Sequence, residues 1–341
     1  MKRGWLLFLL LPKLVVAAPP ATISGISGRI DRIATDAEGG FHAIVGPSIY
    51  RLVGDHFEHE RTIRDPDTNY TITDIDLWVT PAGIVKGYYA SHYSPERSDA
   101  TYYRLHYVVC RASRCRHRTL RSGNLKSSHT TIESTALDRN GALYLVESYA
   151  YKNGKRWHSQ TSWYRDGAQF KKEEGTYPEI RLAFLDEELV TVKRTYLGNL
   201  EIESRGISLT VPGVKSYYTW HVLPSGDSLH LFHHDPATKS MIWTRWNRTT
   251  GQVESLPLDT QETGIESAPF LLPDGRIGLF YSYYRNPFNK GLRFALLEND
   301  RMVENVIIDR AADRNSGWHI AANANLREEI VVGFTSDLLA R

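Results

Sequence analysis

Cysteine is almost absent: Cys110 and Cys115 are the only two in 341 residues, which excludes a multi-bridge disulfide scaffold and a thiolate-rich zinc module. Long apolar runs are missing too. The longest, Trp5 to Leu11, falls far short of the roughly 20 residues a helix needs to cross a bilayer, so the chain is not expected to span a membrane. Charge of one sign is also lacking. The formal charge is +2, and with Lys2, Arg3 and Lys13 set aside 38 basic residues face 39 acidic ones, a balance that argues against bulk nucleic-acid binding. A Gly-rich phosphate loop does not occur, nor does a convincing metal-ligand spacing; His56 and His59 lie three apart on a strand-like stretch and point to opposite faces. No cofactor and no metal are expected. What remains, 41% hydrophobic and 23% charged with 11% aromatic residues, is a globular composition.

The first 17 residues read as a secretory leader. Lys2 and Arg3 precede the apolar run, and Val15-Val16-Ala17 forms a small-residue cleavage pattern before Ala18. The expected organisation is therefore a signal peptide over 1–17 and one domain over 18–341, secreted or periplasmic. The two cysteines fit that compartment. They bracket Arg-Ala-Ser-Arg after the alternating stretch Tyr103 to Val109, so a tight hairpin brings them opposite each other as a disulfide.

A repeat organises the rest. A short apolar or alternating segment, a turn with Asp, Asn or Gly, and a second apolar segment recur, as in Ile30 to Asp36, Gly39, then Phe41 to Val45, and in Ile132 to Asp138, Gly141, then Leu143 to Val146. Related pairs start at Ile72, Ile180 (without Gly), Tyr218, Ala268 and Trp318. Most are followed by another alternating hairpin, such as Ser159 to Tyr164 with Asp166-Gly167. Period-2 patterning in four-strand units, with no amphipathic helix between them, predicts an all-β β-propeller of four-stranded blades. Seven blades are expected, with six as the alternative. The seventh unit has only two strands before the chain stops, so the segment Thr22 to Ile26 is expected to pair into it and remove an exposed edge.

The phrases Leu137-Asp138-Arg139-Asn140-Gly141-Ala142-Leu143-Tyr144 and Phe232-His233-His234-Asp235-Pro236-Ala237-Thr238 resemble the repeats of secreted, sialidase-like (BNR-type) propellers. The resemblance lies in spacing and turn residues and implies fold, not activity. The complete Asp-box pattern is absent, since Asp274-Gly275 is preceded by Pro and followed by Arg-Ile, so sialidase action is not expected. In composition the chain is also similar to propeller lyases of acidic polysaccharides.

Propeller topology sends the loops between second and third strands, and the entrances to the inner strands, to one face. Tyr89, His92, His233, His234, Tyr283 and Arg285 come from the former; Glu133, Arg181 and His319 come from the latter, with Asp74 and Asp76 beside them. Aromatic faces to stack on, with charged groups to orient hydroxyls or carboxylates, suit a glycan or similar polar ligand. Tyr89, His92, Glu133, Arg181, His233, Tyr283, Arg285 and His319 are thus the expected ligand-binding set. A solvated channel lined by ordinary strand-surface residues is the bland alternative. Turnover is left open. Hydrolysis needs two carboxylates astride a glycosidic bond, whereas a lyase needs a base and a cation that neutralises the uronate, for which His92, His233, His234, Tyr283 and Arg285 are candidates. A protein-interaction platform is a third reading.

Two further features need placing. Gly226-Asp227-Ser228-Leu229 spells the tetrapeptide of a serine-hydrolase family but falls where other repeats have a turn, and is read as one. Arg111, Arg114, Arg116, His117, Arg118, Arg121 and Lys126 form the one basic run. It is expected on a hairpin between third and fourth strands, either as a solvated surface or as a contact for an acidic glycan or a protein.

Overall fold

A computed structural model describes residues 5–10, 21–23, 25–26, 29–96, 100–112, 114–175, 179–195, 198–204, 207–211, 220–235, 240–259, 267–286, 289–298, 301–309, 318–327 and 329–336. Every regular element among them is a β-strand, and the strands form seven antiparallel four-stranded sheets. Six are blades of four consecutive strands, as the six-blade alternative requires; the other is assembled from both ends of the chain.

The chain divides into two compact units. The first comprises residues 1–61 and 213–341. Its blades are β3 (Arg32–Thr35) to β6 (His56–Thr62) through β4 (Phe41–Val45) and β5 (Ser48–Val53); β19 (His221–Ser225), β20 (Ser228–Asp235), β21 (Ser240–Asn247) and β22 (Val253–Asp259); and β23 (Ser267–Leu271), β24 (Ile277–Asn286), β25 (Asn289–Glu298) and β26 (Arg301–Asp309). The composite sheet runs β2 (Ala21–Ile23), β1 (Trp5–Leu10), β28 (Glu329–Ser336), β27 (Trp318–Ala324). The strand sealing β28 is therefore β1, paired Leu6 to Gly333 and Phe8 to Val331, while Thr22 and Ile23 pair one position further out, with β1. The expected segment reaches the expected sheet, but the leader and this pairing claim the same residues, Trp5–Leu10.

The second unit spans 62–212 and holds three blades: β7 (Thr71–Val79), β8 (Val85–Tyr93), β9 (Tyr102–Arg111) and β10 (Arg114–Asn124); β11 (Ser128–Leu137), β12 (Leu143–Asn153), β13 (Arg156–Arg165) and β14 (Ala168–Glu174); β15 (Glu179–Leu185), β16 (Glu188–Arg194), β17 (Leu200–Ser204) and β18 (Ile207–Val211). Their first strands adjoin one another, β11 touching both β7 and β15, which makes them the inner strands. Between blades the alternating apolar positions close into cores, Tyr88, Leu105 and Tyr107 against Leu143, Leu145 and Tyr164, then Ala136, Val146 and Trp163 against Ile180 and Leu182. Polar clamps reinforce the first of these seams. Asp166 accepts from Lys86 Nζ at 2.9 Å and Tyr107 Oη at 2.6 Å, and Trp78 Nε1 donates to Thr135 Oγ1 at 2.6 Å.

The recurring turn has a specific cause. Asp36, Thr80, Asp138 and Asn325 each follow a blade's first strand, and each side-chain oxygen accepts the backbone N–H four residues on, at 2.6, 3.1, 2.7 and 3.1 Å. In three of these turns the fourth position must turn left-handed, and Gly39 (φ 81°), Gly83 (φ 70°) and Gly141 (φ 76°) supply it. The Ile180 unit lacks that glycine because Asp186 and Glu187 make a two-residue turn instead, with Asp186 at φ 55°. Gly226-Asp227 is likewise a two-residue turn between the paired Ser225 and Ser228.

Candidate functional site

Three residues of the expected set, His92, Glu133 and Arg181, come near one another in the second unit, with Asp74 beside them. Asp74 on β7, Glu133 on β11 and Arg181 on β15 lie on successive inner strands, and His92 is the next-to-last residue of β8, opposite Thr71. Two β-bulges shape this end. The β7–β8 register slips between Ile72 and Asp74, and the β11–β12 register slips at the equivalent place, between Ile132 and Ser134, leaving Glu133 as the extra residue. A bulge re-aims side chains that regular alternation would bury or splay, and the β15–β16 pairing beside them shows no such slip.

The electrostatics follow from that crowding. Desolvation raises the Asp74 carboxyl above its ordinary value, the neighbouring Asp76 raises it further, and backbone N–H groups of Ile132 and Ile75 only partly oppose this. Desolvation also raises Glu133, against the Ser148 hydroxyl and the Arg181 charge, which lower it. His92 moves the other way, towards a neutral imidazole, because burial outweighs the attraction of Asp74. Arg181 donates to the carbonyl oxygen of Glu133 at 3.3 Å and pairs with Glu179, which Arg194 Nε also approaches at 3.3 Å. The set thus combines carboxyls able to hold a proton, an imidazole able to take one, and a fixed cation.

Stacked aromatics flank it at the same end of the blades. Tyr70, Tyr93 and Tyr102 form a ladder with centroids 5.4 and 6.4 Å apart, capped by the Arg104 guanidinium 3.9 Å from the Tyr70 ring. On the next blade Tyr149, Tyr151 and His158 stack at 5.4 and 5.6 Å, and Trp157, 49% exposed, lies beside His129.

Other expected residues fall elsewhere. Tyr89 is fully buried; its ring stacks on His106 and its hydroxyl meets His117 Nδ1 at 2.9 Å, so it offers no face to a ligand. His233 is buried as well, within β20. Both lie within second strands, which are covered on both faces inside a blade, and the expected rim position took the second half of each strand for loop. The backbones of His234, Tyr283, Arg285 and His319 belong to β20, β24 and β27, and their side chains lie outside the described residues. Ser228, in the hydrolase-like tetrapeptide, accepts from Arg245 Nε at 3.1 Å and is part of a turn. No group of three or more potential metal ligands gathers among the described residues, and none of their helices is long and apolar enough to cross a membrane.

Sequence reasoning missed Glu179, and it missed two buried polar clusters. Asp65 accepts from Ser91 Oγ at 2.6 Å and lies 3.3 Å from His106 Nε2. Glu147 is fully buried and accepts from Arg121, Thr130 and Tyr164. In the first unit, a cleft of about 280 Å³ opens beside Ser228, His230, Trp243, Arg245 and Arg276, and one of about 380 Å³ beside Phe41, Arg51 and Arg327. Neither contains an expected site residue.

No protein-family model matches the chain, and no characterised protein matches it in sequence. Solved structures do match. The β-propeller domain of the trilobed protease from Pyrococcus furiosus, described as having an open velcro topology, is 10% identical over 91% of this chain and 92% of that one, with a TM-score of 0.51. BBS1N in its complex with ARL6DN is 11% identical over 99% of both chains, at a TM-score of 0.49. The polysaccharide lyase Uly1 is 12% identical over 67% of this chain and 57% of that one, at 0.40. The fold is thus that of a β-propeller, and likeness at this level shows fold alone.

Proposed function

We propose that the protein binds a glycan or a comparable polar ligand at the bulged ends of its inner strands, through Asp74, His92, Glu133 and Arg181. The paired bulges carry this reading. Two successive blades interrupt their ladders at the same step, with Glu133 the extra residue in one and Asp74 following the extra Thr73 in the other, and both carboxyls are desolvated. The flanking tyrosine ladders supply flat apolar faces of the kind sugar rings stack upon. Binding to a panel of neutral and uronate-containing oligosaccharides tests it. Arg181→Ala and Glu133→Gln should each weaken the best ligand about tenfold or more. Undiminished binding in both variants defeats the assignment.

A catalytic reading on acidic polysaccharide is the second one, favoured by the opposed shifts of Glu133 and His92, since desolvation favours the neutral form of both the carboxyl and the imidazole. Lyase action would release an unsaturated, ultraviolet-absorbing product and hydrolysis a new reducing end; neither product means binding alone. Export of the chain is part of the proposal, supported by the Cys110–Cys115 disulfide. Amino-terminal sequencing of the protein recovered from its native compartment decides whether cleavage before Ala18 occurs.

A further inference from the structure

The basic run resolves into two parts with different fates. Arg121 turns inward after a register slip between Thr119 and Arg121 and is consumed by Glu147. His117 also turns inward, onto Tyr89. Arg114, Arg116 and Arg118 alternate along β10, with Arg111 directly across from Arg114, so all four stand on one face. All four are exposed, and none forms an ion pair among the described residues. Many other arginines in the same structure do, including Arg104, Arg139, Arg165, Arg194 and Arg248.

β10 is the outermost strand of its blade, and an outer strand needs some charge to discourage edge pairing. Guarding an edge does not explain the pattern. The outer strand β14 mixes its signs and pairs Lys171 with Glu173, and β6 alternates His, Glu and Arg; β10 carries four arginines from Arg114 to Arg121 and no carboxylate. Its tip is also fixed. Cys110 and Cys115 are paired in register and bridged, with Cα atoms 4.0 Å apart, across a turn whose Ala112 is held at φ 46°. Alternate residues on a strand repeat every 6.5 to 7 Å or so, which sets the guanidinium groups as a straight, evenly spaced row.

We propose that this arginine row is a second binding surface, for a linear acidic polysaccharide bearing carboxylate or sulfate groups. Unpaired guanidinium groups take such oxyanions in two-pronged hydrogen bonds, and a straight row matches a polymer that repeats its charge. The disulfide in the same hairpin places it in an oxidising compartment, where acidic polymers are polysaccharides rather than nucleic acids. The surface is independent of the inner-strand site and does not need it to be functional.

The test uses the full chain on immobilised heparin, polygalacturonate, dextran and double-stranded DNA. Retention on heparin or polygalacturonate but not on dextran is expected, the first alone marking sulfate and the second alone carboxylate as the preferred group. The variant carrying R114A, R116A and R118A should elute at lower salt, with a slope of log affinity against log salt reduced by about 1 per arginine removed. Its unchanged circular dichroism and melting temperature would show that folding is not the cause, and the matching triple lysine variant should recover most of the retention. Arg139→Ala, which removes an exposed arginine paired with Glu187 on the next blade, should leave retention unchanged, which separates this row from surface charge in general. Failure of the unsubstituted protein to bind either acidic polymer, equal retention of the triple alanine variant, or equal retention on DNA would each overturn the proposal.

Discussion

Two groups of ionisable residues in the second unit use the same chemistry to opposite ends. Around Glu147, Arg121 contributes Nε at 2.7 Å and Nη2 at 3.2 Å, Thr130 a hydroxyl at 2.5 Å and Tyr164 a hydroxyl at 2.8 Å, while Arg121 also lies 3.9 Å from the Tyr149 ring. Every oxygen of the buried carboxylate has partners. Around Asp74 and Glu133, by contrast, the carboxyls keep one cation between them and are pushed towards their protonated forms. The first cluster ties β10, β12 and β13 together through matched charges; the second links β7 to β11 and β11 to β15 through backbone groups alone. Charge fully matched is structure, and charge held out of balance on inner strands is what a ligand can complete.

The largest expected effect breaks the matched cluster. Arg121→Ala leaves Glu147 without its cation, fully buried, and should cost about 3 to 5 kcal/mol by denaturant unfolding. The same deletion removes the Arg121 hydrogen bond to Tyr164, whose hydroxyl desolvation and the Glu147 charge already push up to about 12. Glu147→Gln with Arg121→Met, which removes both charges, should recover much of that loss. A single substitution costing less than about 1 kcal/mol would show that the network is not the anchor described.

A smaller effect concerns the other end of β10. The disulfide closes a loop with a sequence separation of only 5, so its reduction should cost about 2 kcal/mol, less than loss of Arg121. Measured by unfolding with and without reductant, a larger loss on reduction would reverse the ranking and make the hairpin tip, rather than the buried pair, the point that fixes this strand.

These clusters also mark how far the sequence could be read. Strand patterning, the blade repeat and the turn chemistry were legible because they are local: Asp138 caps a residue four positions away, and Gly141 supplies its own φ. The Cys110–Cys115 bridge was legible for the same reason. Glu147 was not, since its partners lie 26 and 17 residues away on other strands and nothing local distinguishes a carboxylate that faces a seam from one that faces water. The bulges at Thr73 and Glu133 were hidden because one extra residue shifts register without disturbing composition. Tyr89 shows the same limit from the other side: an aromatic midway along a second strand reads as rim until the covering His106 and His117 are in place. The role of Trp5–Leu10 was obscured by a different conflict, because an apolar run that suits a leader equally suits a strand.

The smallest expected effect is the most discriminating, because its sign differs between the two clusters. A carboxyl whose folded pKa is raised binds its proton more tightly in the folded state, so stability falls as pH rises from the unfolded carboxyl value through the raised folded one. Asp74 and Glu133 therefore cost stability at neutral pH, and Asp74→Asn and Glu133→Gln should make the protein slightly more stable at pH 7 and flatten its stability curve through the weakly acidic range. Asp166 behaves oppositely. Lys86 and Tyr107 more than offset desolvation and hold it low, so its contribution is present above the ordinary carboxyl range and is lost as pH falls through the depressed value. Asp166→Asn should then destabilise at pH 7 and do progressively less in acid. Melting temperatures of the three variants from pH 4 to 8 decide the matter. Stabilisation by the inner-strand substitutions together with weakened ligand binding is the signature of residues kept for function at the expense of the fold. Destabilisation by all three would place Asp74 and Glu133 among the structural pairs and remove the inner-strand ends as a site.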